Sequence, residues 1–167
     1  KINSYMNIAT PSGGNAALKN GEYQYTENLR VWNGSLTIAK NATVVMDSSA
    51  NRWVCVGGNN ADSESATDVD ARLIIDGGSL TNNTGAHLGV GDFGSAPSKA
   101  IMIVKNGGTY VGKSNAYIAQ GAEGHLIVDG EGSSVTVSTL YFNGEARDEE
   151  GEDGYVSVTN GGLVAVK

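Results

Sequence analysis

The chain has 167 residues, of which 24 are glycine and only two are proline, and its formal net charge is −7. This acidic balance argues against a nucleic-acid partner, and no apolar stretch approaches the roughly 20 residues of a membrane-spanning helix, so no membrane insertion is expected. The single cysteine, Cys55, excludes an internal disulfide framework, and the length fits one domain held by packing and hydrogen bonds.

In chain order, residues 1–28 are expected to form a capping or lead-in segment, and a repeated unit then occupies residues 29–167. Each unit contains an apolar alternating strand, a corner with Asn, Asp or Gly, a second short strand, and a third strand that closes on a glycine. The first strands begin near Leu36, Leu73, Met102, Leu126 and Val156. Such a unit cannot bury its own apolar face, but copies stacked on one another can.

Three short strands in each unit predict an all-β fold, a right-handed parallel β-helix of about five coils and about 24 Å in length. The irregular spacing of the first strands favours the right-handed form with loops inserted at its corners, which is also the usual hand of parallel crossovers. The period of two along a strand predicts which side chains point inward. On the first strands these are Leu36, Ile38, Leu73, Ile75, Met102, Val104, Leu126, Val128, Val156 and Val158, and on the third strands Val31, Val54, Leu88, Ile118 and Tyr141.

The corner dipeptides have a conformational role. Asp76-Gly77, Asn106-Gly107 and Asn160-Gly161 combine residue types that tolerate left-handed backbone angles, which a β-branched residue adopts only with strain. We therefore interpret these glycines as architectural.

The order of strand, glycine-rich corner, second strand and closing segment resembles the repeats of bacterial autotransporter passenger domains and related cell-surface β-helix adhesins. The closing segments that carry this resemblance are His-Leu-Gly-Val-Gly at 87–91 and Tyr-Ile-Ala-Gln-Gly at 117–121. The resemblance implies export, an extracellular or bacterial cell-surface location, and use as a stalk or adhesive surface toward a host glycan or protein.

The last residues of the sequence also bear on partners. Residues 164–167 stop within a second strand without the polar cap that terminal repeats of a solenoid require. We therefore expect further repeats of the same parent chain to stack on this one.

The segments inserted after the third strands, residues 57–72, 91–100, 121–125 and 144–154, are expected to leave the column at one corner and to carry most of the chain's 18 acids. Asp148, Glu150 and Asp153 are the candidate ligands for Ca²⁺, which prefers oxygen donors. The favoured interpretation is a solvated acidic edge that keeps the column soluble and needs no cofactor. The sequence contains neither an EF-hand spacing nor a calcium-binding nonapeptide.

A second candidate surface is a row of outward side chains on the third strands. The row is predicted to contain Arg30, Trp53, His87, Tyr117 and Leu140, with the small residues Cys55, Gly89 and Ala119 beside it. Aromatic rings over a shallow trough suit sugar rings, so Trp53, His87 and Tyr117 are candidate glycan ligands. The alternative is that the rings only cover backbone or pack beneath a loop.

Catalysis is the weaker interpretation, and no catalytic residue is assigned. Polysaccharide lyases and glycoside hydrolases also use this fold, but a fold alone does not assign a function. Asp76 and Asp129 occupy equivalent strand ends two rungs apart, about 9.6 Å, which would suit an inverting hydrolase. Acids at repeat corners are more often turn formers. His87 and His125 occupy different sheet positions, and each is interpreted as a surface or packing residue rather than a zinc ligand.

Overall fold

The computed structural model describes residues 6–8, 14–57, 69–91, 98–142 and 153–167, and these ranges consist of short β-strands joined by turns, without an α-helix. Each coil contributes one strand to each of three parallel sheets, so the predicted right-handed parallel β-helix is confirmed. In the part of the chain so described, no helix has the length and apolar character needed to span a membrane.

The three sheets run along the column, and each has six strands. The first sheet contains β2 (Gly14–Leu18), β5 (Gly34–Ala39), β8 (Val69–Asp76), β11 (Ser98–Lys105), β14 (Glu123–Asp129) and β17 (Gly154–Thr159). The second contains β3 (Gly21–Tyr25), β6 (Ala42–Met46), β9 (Ser79–Asn82), β12 (Thr109–Gly112), β15 (Ser134–Val137) and β18 (Leu163–Val166). The third contains β1 (Met6–Ile8), β4 (Leu29–Val31), β7 (Val54–Val56), β10 (Leu88–Val90), β13 (Ala116–Ile118) and β16 (Leu140–Phe142).

The register of the first sheet agrees with the sequence pattern. Leu36 pairs with Leu73, Leu73 with Met102, Met102 with Leu126, and Leu126 with Val156, so the five predicted strand starts are equivalent in space. Alternating apolar residues determine this register because a shift of one residue would turn the whole apolar set toward water.

The segment before residue 29 adds a coil of its own. Its strands β1, β2 and β3 pair with β4, β5 and β6 in the same three sheets, which gives six coils where the sequence suggested about five. The described strands of this segment are therefore built on the same plan as the repeats.

The core is a set of inward ladders that run through the coils. The predicted inward residues of the first strands from Leu36 to Val128 are all 0% exposed. Val156 and Val158 also pair with inward residues, Leu126 and Val128, but Val158 is 46% exposed. The predicted inward position of Val158 is confirmed, and its side chain is exposed because no described coil lies beyond β17 to cover it.

The third sheet corrects the predicted register. Val31, Val56, Val90 and Ile118 form one inward ladder, and Leu29, Val54, Leu88 and Ala116 form the other. Tyr141 was predicted to point inward, but it pairs with the outward Tyr117 and is 40% exposed.

The error comes from using the closing glycine as a reference point. Gly57 and Gly91 follow the ladder residues Val56 and Val90 with φ angles of 71° and 70°, and Ala119 follows Ile118 with φ 58°. Ala119 thus takes the left-handed position that glycine occupies in the two preceding coils. An alignment on Gly121 therefore shifts the strand by two residues.

The corners agree with the prediction. Asn106, Gly107, Asn160 and Gly161 all have positive φ, as does Gly77. At the first of these corners, the hydroxyl of Ser133 accepts a hydrogen bond from the Gly107 amide and donates one to the carbonyl of Asp129. The corners are therefore connected between coils as well as within them.

Candidate binding surfaces

The three aromatic residues of the predicted row, joined by Tyr141, form a continuous ladder of rings on the outer face of the third sheet. The Trp53 and His87 rings stack with centroids 5.6 Å apart, and the His87 and Tyr117 rings meet edge to face at 5.0 Å. Tyr117 then stacks on Tyr141 at 5.0 Å. We call these four residues the aromatic ladder.

The ladder differs in register from the predicted row. Trp53 and His87 lie just before β7 and β10, whereas Tyr117 lies within β13, level with Gly89. Gly89 has no side chain, which leaves room for the His87 and Tyr117 rings to meet diagonally.

Two members of the predicted row lie elsewhere. Arg30 is level with Cys55, and its guanidinium stacks over the ring of Trp32. Leu140 pairs with Ala116 and packs against the core, so it is an inward residue. Arg30 is two residues out of the predicted register, since it was expected level with Trp53, and Leu140 is one residue out, since it was expected level with Tyr117.

Within the aromatic ladder, stacked rings cover one another's faces. Trp53 and His87 are inclined by only 18°, and Tyr117 and Tyr141 by 10°, so each pair covers one face of each ring. The aromatic surface offered to a ligand is therefore made of ring edges and of the outermost faces. Tyr141 is the most open member, at 40% exposed.

The outer face of the first sheet carries a charged cluster that the sequence analysis did not identify. Lys99 Nζ lies 2.8 Å from Glu123 Oε1, and His125 Nε2 lies 3.0 Å from the same oxygen. Arg72 pairs with Asp70 at 3.2 Å. The contact with Glu123 raises the pKa of Lys99.

His125 is the buried member of this cluster. Tyr155, its partner in β17, stacks on it with a centroid distance of 3.9 Å. Burial lowers the pKa of His125, and the charge of Lys99 lowers it further, while the carboxylates of Glu123 and Asp153 oppose the shift. Burial is the larger effect, so the neutral imidazole is favoured near pH 7.

Between the charged rows of the same face lies an apolar strip. Ile74, Ile103 and Ile127 are partners in successive strands, and each is half-buried although it points outward. The period of two could have identified this strip, because these isoleucines alternate with inward residues.

The corner carboxylates are engaged in contacts between coils. Asp76 accepts a hydrogen bond of 2.6 Å from the Asn106 amide and lies 3.3 Å from Lys105 Nζ. Asp129 accepts hydrogen bonds of 2.7 Å from both Thr159 and Asn160. These hydrogen bonds lower the pKa of both carboxyl groups. Lys105 lies between the two acids, since it pairs with Asp76 on one side and with Asp129 on the other.

The predicted acidic edge is described only in part. The connections from β7 to β8, β10 to β11, β13 to β14 and β16 to β17 all lead from the third sheet to the first, so the inserted segments leave at one corner. Asp148 and Glu150 lie outside the described residues, and Asp153 is exposed just before β17. Within the described ranges, no three His, Cys, Asp or Glu side chains are grouped to hold a metal.

A buried polar network lies at the corner between the second and third sheets. The Asn82 amide donates hydrogen bonds to the carbonyls of Arg52 and Ala86, and its oxygen accepts one from the Thr84 amide. The Thr84 hydroxyl also donates to the Arg52 carbonyl at 2.8 Å. An amide at an inward position, two residues after Leu80, is the sequence signal that could have identified this network.

Comparisons of the chain with protein families, curated proteins and solved structures gave no match. The proposals that follow therefore depend on the chain's own residues and geometry.

Proposed function

We propose that the chain is a non-catalytic β-helix module of a secreted or cell-surface protein. The column acts as a stalk, and its outer faces and corner segments act as an adhesive surface. The observation that carries this proposal is the continuous register of three sheets through six coils. A column with one repeating cross-section can extend without changing its structure, which is the mechanical requirement of a stalk.

The corner carboxylates also support a structural role. Asp76 and Asp129 are the pair that the hydrolase interpretation would use, and both accept hydrogen bonds from the next coil. The lowered pKa of each carboxyl group keeps it ionised, which is unsuitable for a general acid. The sequence resemblance to autotransporter passenger domains is consistent with this role and with a cell-surface location.

The proposal is tested by a search for enzymatic cleavage of polysaccharides. The purified chain is incubated with acidic and neutral polysaccharides, and new reducing ends and the absorbance of unsaturated uronates are followed. We expect no product above the background. Product formation that the Asp129→Asn variant loses and the Lys167→Gln variant retains would overturn the proposal in favour of an enzyme.

Glycan binding on the aromatic ladder is the second candidate function. The observation that favours it is the direct contact of the four rings, which gives an aromatic surface about three rungs long, on the order of 15 Å. Because ring faces stack on one another, we expect sugars to contact the open face of Tyr141 and the outer edges of the other rings.

A glycan array with matched variants tests this candidate. Trp53→Ala and Tyr117→Ala remove ladder rings, and Tyr155→Ala removes a more exposed ring from another sheet. We expect the first two variants to lose at least tenfold in binding and the third to be unchanged. Equal binding by all variants would assign the rings a structural role and leave the stalk proposal intact.

A further inference from the structure

Asparagine–glycine pairs recur where the chain turns from the first sheet into the second. Every residue of these pairs has a positive φ, and the pairs are Asn20-Gly21, Asn106-Gly107 and Asn160-Gly161. The sequence is chemically special because glycine has no side chain to hinder its amide nitrogen. This nitrogen attacks the Cγ of the asparagine, loses its proton and closes a succinimide ring as ammonia leaves. Water then opens the ring to aspartate or isoaspartate.

The pair Asn106-Gly107 lies in the middle of the column, and both of its reacting groups are held. Asn106 Nδ2 donates a hydrogen bond of 2.6 Å to Asp76 Oδ1 in the preceding coil. The Gly107 N–H donates one of 3.1 Å to the Ser133 hydroxyl in the following coil. Ring closure requires the nitrogen to leave its acceptor and turn toward Cγ, so the two coils oppose the geometry of attack.

Ser133 occupies a position that excludes a side chain in the neighbouring coils. The register of the second sheet places Ser133 level with Gly108 and Gly162. A Cβ at Gly108 would come within 2.4 Å of a backbone carbonyl oxygen. The corner after Asp129 has one residue more than the corner that it covers, as the strand pairing on either side shows, and this corner accommodates the serine. The Ser133 hydroxyl is buried and donates to the Asp129 carbonyl at 2.7 Å, which orients its oxygen to accept.

Deamidation of Asn106 would reverse the contact with the preceding coil. The new carboxylate would face the carboxylate of Asp76 at a position where an amide now donates a hydrogen bond. Two like charges at this distance repel each other, and neither oxygen supplies a proton to the other. Asn106 is exposed, so water reaches the site to open the ring.

We propose that Asn106-Gly107 is a latent deamidation site, that the Ser133 hydroxyl restrains its reaction, and that the aspartate produced loosens the corner between two coils. The reaction consumes water and releases ammonia, and it needs no other reactant. The covering coil therefore protects the chemistry of the corner as well as the apolar core. This inference is independent of the proposed stalk function.

The restraint is tested by mass spectrometry of peptides after prolonged incubation of the full chain in a mildly alkaline buffer. Ser133→Ala removes the restraining hydroxyl, and Ser134→Ala removes the neighbouring hydroxyl of β15 as the matched control. We expect Asn106 to deamidate at least about fivefold faster in Ser133→Ala, the rate factor that corresponds to one net hydrogen bond. We expect Ser134→Ala to match the wild type.

Asn20 provides an internal reference in the same samples. The Gly21 amide donates to the backbone carbonyl of Asn41, which neither substitution removes, so the rate at Asn20 should be the same in all variants. Hydrogen exchange of β12 checks that the corner stays folded. Equal rates at Asn106 in wild type and Ser133→Ala would overturn the restraint. Equal acceleration by Ser134→Ala, or acceleration accompanied by lost protection of β12, would also overturn it.

The consequence of the reaction is tested by making its product directly. Asn106→Asp should lower the melting temperature, because two carboxylates then face each other. The exchanged pair, in which Asp76→Asn is added to Asn106→Asp, again places one amide against one carboxylate and should recover most of the loss. An unchanged melting temperature in Asn106→Asp, or no recovery in the exchanged pair, would overturn the proposed loosening of the corner.

Discussion

The middle coils and the last coil have nearly the same design and differ in burial. Val128 and Val158 are direct partners in neighbouring strands, yet Val128 is 0% exposed and Val158 is 46% exposed. In the second sheet, Val137 and Val166 differ in the same way. A coil therefore does not bury its own apolar residues, and the coil on its far side completes their burial.

The comparison also separates two sources of stability. The described strands of the last coil are hydrogen-bonded to the previous coil, as the amides of Leu163 and Lys167 show. What the last coil lacks is apolar contact on its open side. Fully burying a valine side chain is worth roughly 1.5–3 kcal/mol, so the inward side chains of the last coil lack several kilocalories per mole of burial that those of each middle coil have.

The largest expected effect comes from placing the same lysine substitution in a middle coil and in the last coil. Val128→Lys places a charge in the core and should cost several kcal/mol, enough to unfold a domain of ordinary stability. Val158→Lys should change the free energy of unfolding by about 0.5 kcal/mol or less. Urea denaturation measures both, and Val128→Ala, at about 2 kcal/mol, gives a value if the lysine variant does not fold.

Similar losses for Val128→Lys and Val158→Lys would contradict the comparison. They would mean that the inward side chains of the last coil are as tightly packed in solution as those of the middle coils.

Much of the fold could be predicted because the first strands repeat two inward apolar residues in every coil. The third sheet was placed out of register in three coils, because the closing glycine does not lie at a constant distance from the strand. Val31 and Ile118 are each two residues out, and Tyr141 is one residue out. Only the shift at Ile118 arises because Ala119 adopts the backbone angle that a glycine adopts elsewhere. The aromatic contact of His87 with Tyr117 depends on the missing side chain at Gly89, which is a three-dimensional relation between coils. The cluster around His125 required the register of three strands to be known.

The second prediction compares a corner that is covered by the next coil with one that is open. Gly91 and Gly107 have φ angles of +70° and +77°, so alanine is strained at both, by about 1–2 kcal/mol. A Cβ at Gly91 would also come within 2.4 Å of the Ala122 carbonyl oxygen, whereas at Gly107 it meets nothing within 4 Å.

Gly91→Ala should therefore destabilise the chain by roughly 1–3 kcal/mol more than Gly107→Ala. Thermal melting of the two variants under identical conditions provides the measurement. If the two melting temperatures agree, the covered corner has more room than the structure indicates.

The third prediction concerns the polar network inside the middle coils. Asn82→Leu keeps the approximate volume but leaves the Ala86 carbonyl and the Thr84 amide without the partner that Asn82 supplies. The expected loss is roughly 1–3 kcal/mol in urea denaturation. The neighbouring Asn83→Ala variant is the control and should stay within about 0.5 kcal/mol of wild type. If Asn82→Leu leaves the free energy of unfolding unchanged, water takes the place of the Asn82 side-chain amide in these hydrogen bonds.

The smallest expected effect concerns how a tyrosine of the last coil buries a histidine of the coil before it. Tyr155 of β17 covers His125, and burial lowers the pKa of that histidine. The folded protein therefore binds this proton less tightly than the unfolded chain, whose histidine has a pKa of about 6.5. The stability from this source is complete above that value and decreases as the pH falls below it.

We expect Tyr155→Ala to move the pKa of His125 back toward its ordinary value and to weaken this loss of stability between about pH 7 and pH 5. Proton NMR of the two histidine rings follows the titration, and His87→Gln assigns the resonances. The lowered pKa values of Asp76 and Asp129 act in a separate window, since their contribution is lost only below about pH 4. A His125 pKa that Tyr155→Ala leaves unchanged would show that β14 and its own neighbours bury the ring without help from the last coil.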